Sequence, residues 1–303
     1  MSATDYLKDL LASQALPEGC PELAALDAVR DHVEQLILNA YPDSVVRFTH
    51  GGSRAKGTLV KEDYDLDLPV YFENEDTGPG DTLEDIYENI ATLLEEHYIV
   101  KRKRSALRLR DKRGRDLRVD LVPGRFTDST RSDAYIHQNE GEKDRQKTNL
   151  ETHISHVRDS GCTDEIRLTK LWRTRNGVEI KTFPLELLVI VVLSEDGSGD
   201  LEVRFRRVLE AFSDRIDELQ IEDPANPYGN DLSHALTDDM RRALAKTASD
   251  TLAAVDDYGW QHVFGEVAQR QAAAPRITVL RSAVAATPVL TRPWSDADDD
   301  DMV

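Results

Sequence analysis

The segment Tyr64-Asp65-Leu66-Asp67-Leu68-Pro69-Val70-Tyr71 alternates in polarity with period two, the pattern of a strand with one face turned to a core. Its two aspartates are two residues apart, so both carboxylates project from the same face. A second strand-like run, Arg118-Val119-Asp120-Leu121-Val122, carries a further acid between apolar neighbours. A sheet that sets the two runs side by side gathers three carboxylates. A sheet that keeps them apart leaves an ordinary solvated edge, as any acidic protein can have.

Gathered carboxylates repel one another unless divalent cations offset them, and hard oxygen ligands select Mg²⁺ or Mn²⁺. Asp65, Asp67 and Asp120 together therefore outline a two-metal site for phosphoryl transfer. Just upstream lies Gly51-Gly52-Ser53-Arg54-Ala55-Lys56-Gly57-Thr58. Its glycines let backbone amides approach a phosphate closely, and Ser53 offers a hydroxyl donor. A plain glycine turn between strands would have the same composition.

The surrounding pattern is mixed. Leu23, Leu26, Val29, Val33, Leu36 and Ile37 predict an amphipathic helix over Pro21 to Ala40, and Val45 to Phe48 a short strand. Thr82 and Asp85 form a capping box ahead of a second apolar stripe, Leu83 to Leu94. Ala106 to Arg110 and Leu117 to Val122 read as a hairpin around Lys112-Arg113-Gly114. From Thr148 onward helices dominate: Glu165 to Arg175, Pro184 to Leu193, Leu201 to Leu219 and Asp238 to Asp256. The fold class expected is α/β (α+β), a mixed sheet followed by a helical domain. The division expected is 1–147 for an N-terminal helix plus the sheet-bearing core, 148–290 for the helical domain, and 291–303 for an acidic, disordered tail.

Composition removes several functions. Across 303 residues, 57 acids against 38 bases give a net charge of −19, which excludes a broad basic platform for duplex DNA. The two cysteines, Cys20 and Cys162, have neither disulfide-framework nor zinc-ligand spacing. No apolar run approaches the ~20 residues of a membrane span, and the first residues show no signal-peptide pattern, so a cytoplasmic location is expected. Against this background Lys101-Arg102-Lys103-Arg104, Arg108, Arg110, Lys112, Arg113 and Arg115 form one locally basic block. It reads equally as a guide for substrate phosphates and as a solvated strand face balancing nearby acids.

The Gly-Ser segment, Asp65-Leu66-Asp67 and a third strand aspartate resemble the polymerase-β-type nucleotidyltransferase superfamily. The second half narrows the likeness. Thr148-Asn149-Leu150 with His153, Ile166 to Trp172, Lys181 to Leu188, Asp223-Pro224-Ala225-Asn226-Pro227 and Trp260 to Gly265 follow one another as in the cGAS/DncV-like nucleotidyltransferases of antiphage signalling. The likeness spans roughly residues 20 to 265; archaeal CCA-adding enzymes share the first half only. It implies that Asp65, Asp67 and Asp120 are catalytic and bind two Mg²⁺ or Mn²⁺ ions. It further implies that Gly52, Ser53, Lys170 and Thr182 bind the nucleoside triphosphate, ATP among them. Thr182 stands where the family often has serine, and Glu186 reads as a structural hydrogen-bonding group in an apolar helix. The implied product is a cyclic di- or trinucleotide, with a regulatory protein of the defence operon as a partner. An RNA-terminal or small-molecule nucleotidyltransferase is the alternative.

Overall fold

In a computed structural model, which describes residues 1–114, 118–140, 143–226, 232–233 and 236–267, the alternating run becomes a central strand of a seven-stranded sheet. The strands are β1 (Val46–Phe48), β2 (Leu66–Phe72), β3 (Tyr98–Arg102), β4 (Leu107–Asp111), β5 (Val119–Phe126), β6 (Ala134–His137) and β7 (Arg145–Thr148). Their order is β1-β2-β5-β4-β3, with β6 pairing β5 and β7 pairing β6. Strands β2 and β5 run parallel and the other pairs antiparallel, so the sheet is mixed. A parallel pair needs a long crossover. Here α4 (Leu83–Glu95) and the β3–β4 hairpin supply it.

One face of the sheet is closed. Leu66, Leu68, Val70, Leu107, Leu109, Val119 and Leu121 pack with Leu23, Leu26, Val33 and Ile37 of α2 (Pro21–Ala40) and with Ile86, Ile90 and Leu94 of α4. The helices form where the sequence predicts them. Proline opens α2, and at α4 Thr82 Oγ1 accepts from the Asp85 N–H while Asp85 accepts from the Thr82 N–H. Because side chains alternate along a strand, Asp67, Asp120 and Arg108 fall on the opposite face.

A second buried cluster is helical. It joins α6 (Thr163–Asn176), α7 (Thr182–Glu195), α8 (Leu201–Arg215), α9 (Asp238–Tyr258) and α10 (Trp260–Phe264), and it takes in Trp172 and Trp260. In chain order α3 (Gly52–Lys56) falls between β1 and β2, and α5 (Leu150–Arg158) between β7 and α6; the two helices pack against each other. The first helix, α1 (Ala3–Ser13), buries Tyr6, Leu7, Leu10 and Leu11 in the helical cluster and not against the sheet. Among the described residues, no helix is long and apolar enough to cross a membrane.

Some elements depart from the sequence patterns. The glycine-bearing segment folds as the one-turn helix α3, and β2 begins at Leu66, leaving Asp65 just ahead of the strand. Strands β3, β6 and β7 carry too little periodicity to stand out, and β7, Arg-Gln-Lys-Thr, has no apolar residue at all. Helix α1 does have an apolar stripe, Tyr6, Leu7, Leu10 and Leu11, behind a Ser2–Asp5 capping box, yet sequence reasoning overlooked it. The tail from Asp296 to Val303, Trp294, Pro227 and Arg115 lie outside the described residues.

Candidate active site

The parallel register of β2 and β5 pairs Asp67 with Asp120. With Asp65 entering the strand, one oxygen of each of the three carboxylates lies within 4.8 Å of the others. This all-oxygen donor set can hold a metal ion. The three acids nevertheless sit in unlike surroundings. Arg108, opposite Asp120 across β4–β5, donates from Nε to Oδ1 at 2.8 Å and from Nη2 to Oδ2 at 2.8 Å. Lys103 Nζ stands 3.6 Å from Oδ2. Burial pushes the Asp120 carboxyl up, but the Arg108 hydrogen bonds and the two cations outweigh it and hold the group below its ordinary range.

No such fork reaches Asp67 among the described residues. Burial first, then the charges of Asp65 and Asp120, push its carboxyl up to about 8, and Lys56 and Lys170 offset only part of that. Asp65 is raised as well, again chiefly by burial. Gly52 presses on the same group: its φ is +58°, and a Cβ there would fall 1.5 Å from Asp67 Oδ2. Only glycine fits at this point, for steric and conformational reasons together.

Ser53, next in α3, is buried and accepts a hydrogen bond from Lys170 Nζ at 2.6 Å. Lys170, 1% exposed on α6, also donates to the Thr58 carbonyl at 3.1 Å, and burial lowers its pKa. One helical turn on, Arg173 donates to Thr182 Oγ1 at 3.1 Å and to the Ile180 carbonyl at 3.0 Å, and pairs with Asp63. Glu186, Asp63, Asp65 and Arg173 all lie close enough to Lys170 to act on its charge. All seven residues expected at the site from the sequence are thus joined by contact, register or charge, with Thr182 reached through Arg173.

Behind this lies a buried polar cluster. Glu186 of α7 is fully buried; its Oε2 accepts from Lys56 Nζ at 2.8 Å and its Oε1 from Thr58 Oγ1 at 2.8 Å. Lys56 also lies 4.4 Å from the Phe183 ring centroid. Both Glu186 oxygens are satisfied, as a structural role requires. His153 likewise pairs with buried Asp223 at 2.7 Å, tying α5 to the Asp-Pro turn.

Sequence reasoning overlooked Lys56, Thr58 and Arg173, together with the Arg108 fork. Signals for the first three exist: Lys56 and Thr58 close the glycine-bearing segment, and Arg173 is one turn from Lys170 on the same helix. The Arg108–Asp120 pairing depends on hairpin register and carries no local signature.

No family model and no curated protein matches the sequence. Solved structures match its fold. CdnC of Escherichia coli MS115-1, solved with ATP, has a TM-score of 0.64 at 21% identity over 88% of this chain and 98% of that one. CdnG, a CD-NTase of Bradyrhizobium diazoefficiens in complex with GTP, has a TM-score of 0.64 at 17% identity over 87% and 96%. The Vibrio cholerae DncV cyclic AMP-GMP synthase, in complex with the linear intermediate 5′ pppA(3′,5′)pG, gives 0.60 at 15% over 87% and 84%. The likeness is one of fold: the sheet and the helical second half have the architecture of the CdnC, CdnG and DncV structures.

Proposed function

We propose that this chain is a metal-dependent nucleotidyltransferase that joins nucleoside triphosphates, ATP among them, into a cyclic di- or trinucleotide signal of antiviral defence. The observation that carries the reading is the meeting of Asp65, Asp67 and Asp120 beside the Ser53–Lys170 hydrogen bond. An all-carboxylate set that only Asp120's cations partly offset suits two Mg²⁺ or Mn²⁺ ions, which when bound would activate an attacking hydroxyl and offset charge on departing pyrophosphate. Asp65, Asp67 and Asp120 would hold them. Gly52 leaves room for Asp67 and brings backbone close to the phosphates. Because Ser53 accepts from Lys170, its own hydroxyl proton stays free to donate to a phosphate oxygen. Lys170 and Thr182 complete the triphosphate subsite.

The division of the chain near residue 147 is supported by the separation of the two largest buried clusters, with α1 crossing to the helical one. The net charge of −19 argues against duplex DNA as an activator. A regulatory protein partner has its counterpart in the E. coli CdnC:HORMA-deltaN complex. The test is incubation with each nucleotide pair and Mg²⁺ or Mn²⁺, followed by phosphatase and mass spectrometry. A phosphatase-resistant cyclic species is expected. Linear products only, or a demand for a tRNA or small-molecule acceptor, would move the chain to the alternative class.

A further inference from the structure

The basic block divides between the two faces of the sheet. Arg102 turns toward α4 and pairs with Glu88 and Glu95, while Lys112 donates to the Glu95 and Glu96 carbonyls at the end of the same helix. These cations are structural. The others follow the register in a different direction: Asp67 pairs with Asp120, Asp120 with Arg108, and Arg108 with Lys101, so four strands present one continuous row. Arg110 pairs with Ile99 two residues along, on the same face.

This row lies on the face opposite the apolar cluster that closes the sheet, and its composition changes along its length. It begins acidic at β2 and β5 and turns basic at β4 and β3. Arg108 is committed to Asp120, with Lys103 beside it. Lys101 and Arg110 are exposed and have no charged partner among the described residues, and Ile99, 55% exposed, adds an apolar surface between them and the edge. At ~4.8 Å per strand the row extends about 14 Å, wide enough for several phosphates of a nucleotide strand. In a chain of net charge −19, two exposed and unpaired cations continuous with the acid site are directed at an anion that reaches that site.

We infer that the open face of β4 and β3, through Lys101 and Arg110, binds the phosphates of a single-stranded oligonucleotide whose end reaches the acid triad. That such a strand would be a linear intermediate on the way to the cyclic product rests on the nucleotidyltransferase reading; its binding to the strip does not. The basic row grips the backbone and Ile99 offers a base an apolar contact, so recognition is of phosphates and not of sequence.

The test uses the full chain with Mg²⁺ and no nucleoside triphosphate, and a 5′-fluorescein hexa-adenylate read by anisotropy from 50 to 200 mM salt. Lys101→Glu and Arg110→Glu are compared, singly and together, with Lys246→Glu, which makes the same charge change on exposed α9. The double variant should bind about tenfold more weakly at the lowest salt, with a shallower salt slope by about 0.7 per lost contact, while Lys246→Glu behaves as wild type. Binding of a nonhydrolysable ATP analogue should stay within about twofold in every variant. No oligonucleotide binding by the wild type, equal binding by the double variant and Lys246→Glu, or a parallel loss of the ATP analogue would each overturn the inference. Oligonucleotide binding with no turnover of any nucleotide pair would instead strike the nucleotidyltransferase reading and leave the strip standing.

Discussion

The buried carboxylate of Glu186 and the partly buried acids of the β2–β5 face lie to either side of the α3 segment, and they are built on opposite principles. Glu186 has a partner for each oxygen: Lys56 on one, Thr58 on the other. The acids of the β2–β5 face share one fork, which Arg108 places on Asp120 alone, while at Asp67 the charges of Asp65 and Asp120 outweigh those of Lys56 and Lys170. A buried charge that is locally satisfied holds the structure together. One that is not satisfied is a place where the protein gives up stability to keep a cation site ready.

That contrast can be broken most sharply at Asp67. Asp67→Asn keeps the shape and removes the carboxylate that the cations would require, so turnover should fall by on the order of a thousandfold while the melting temperature holds or rises. Radiolabelled nucleotide turnover and a thermal melt read the two effects, and a large drop in melting temperature would place Asp67 with Glu186. At Glu186 the expectation reverses. Glu186→Gln strands Lys56 in the interior and should cost about 3 kcal/mol in urea unfolding, whereas Lys56→Met with Glu186→Leu should regain most of it. Equal losses in the single and double variants would deny the pair its structural role.

Smaller effects sharpen the comparison. Lys170→Ala removes the donor to Ser53 and should raise KM for the triphosphate about tenfold, with a lesser change in kcat. Unchanged steady-state constants would return Lys170 to a packing role. The smallest effect is in pH. Asp67 keeps its proton in the folded chain up to about 8, whereas the unfolded chain loses it near 4. Between those values the folded state binds more protons, so metal-free stability should fall as pH rises. Added Mg²⁺ should therefore raise the melting temperature by a few degrees more at pH 8 than at pH 6. A Mg²⁺ shift of the same size at both would argue against Asp67 as a ligand.

The sequence disclosed whatever was periodic or local. The stripe of α2, the capping box of α4, the glycine that ends α6 at φ +62° and the alternation of β2 could all be read directly. The proximity of the three aspartates was legible as a chemical necessity once a shared sheet was assumed. Their inequality was not, because Arg108 reaches Asp120 only through the register of a hairpin. Strands β6 and β7 escaped for a different reason: one is four residues long and the other wholly polar, and pairing with neighbours defines them more than their own pattern does. The docking of α1 on the helical cluster was equally hidden, since an apolar stripe announces that a helix is buried but not against what.

The bond from Lys170 to Ser53 spans 117 positions, and the one from Lys56 to Glu186 spans 130. A chain emerging from the ribosome folds its early parts first. All the strands through β5 are out before α6 and α7 exist, so the nascent sheet brings its aspartates together without the lysine and glutamate that later surround them. The site is therefore assembled in two instalments, and a chain halted before α6 should keep its sheet open at the acid face and be prone to proteolysis there. Completion of α7 acts as the lock on a structure whose most costly contact was made first.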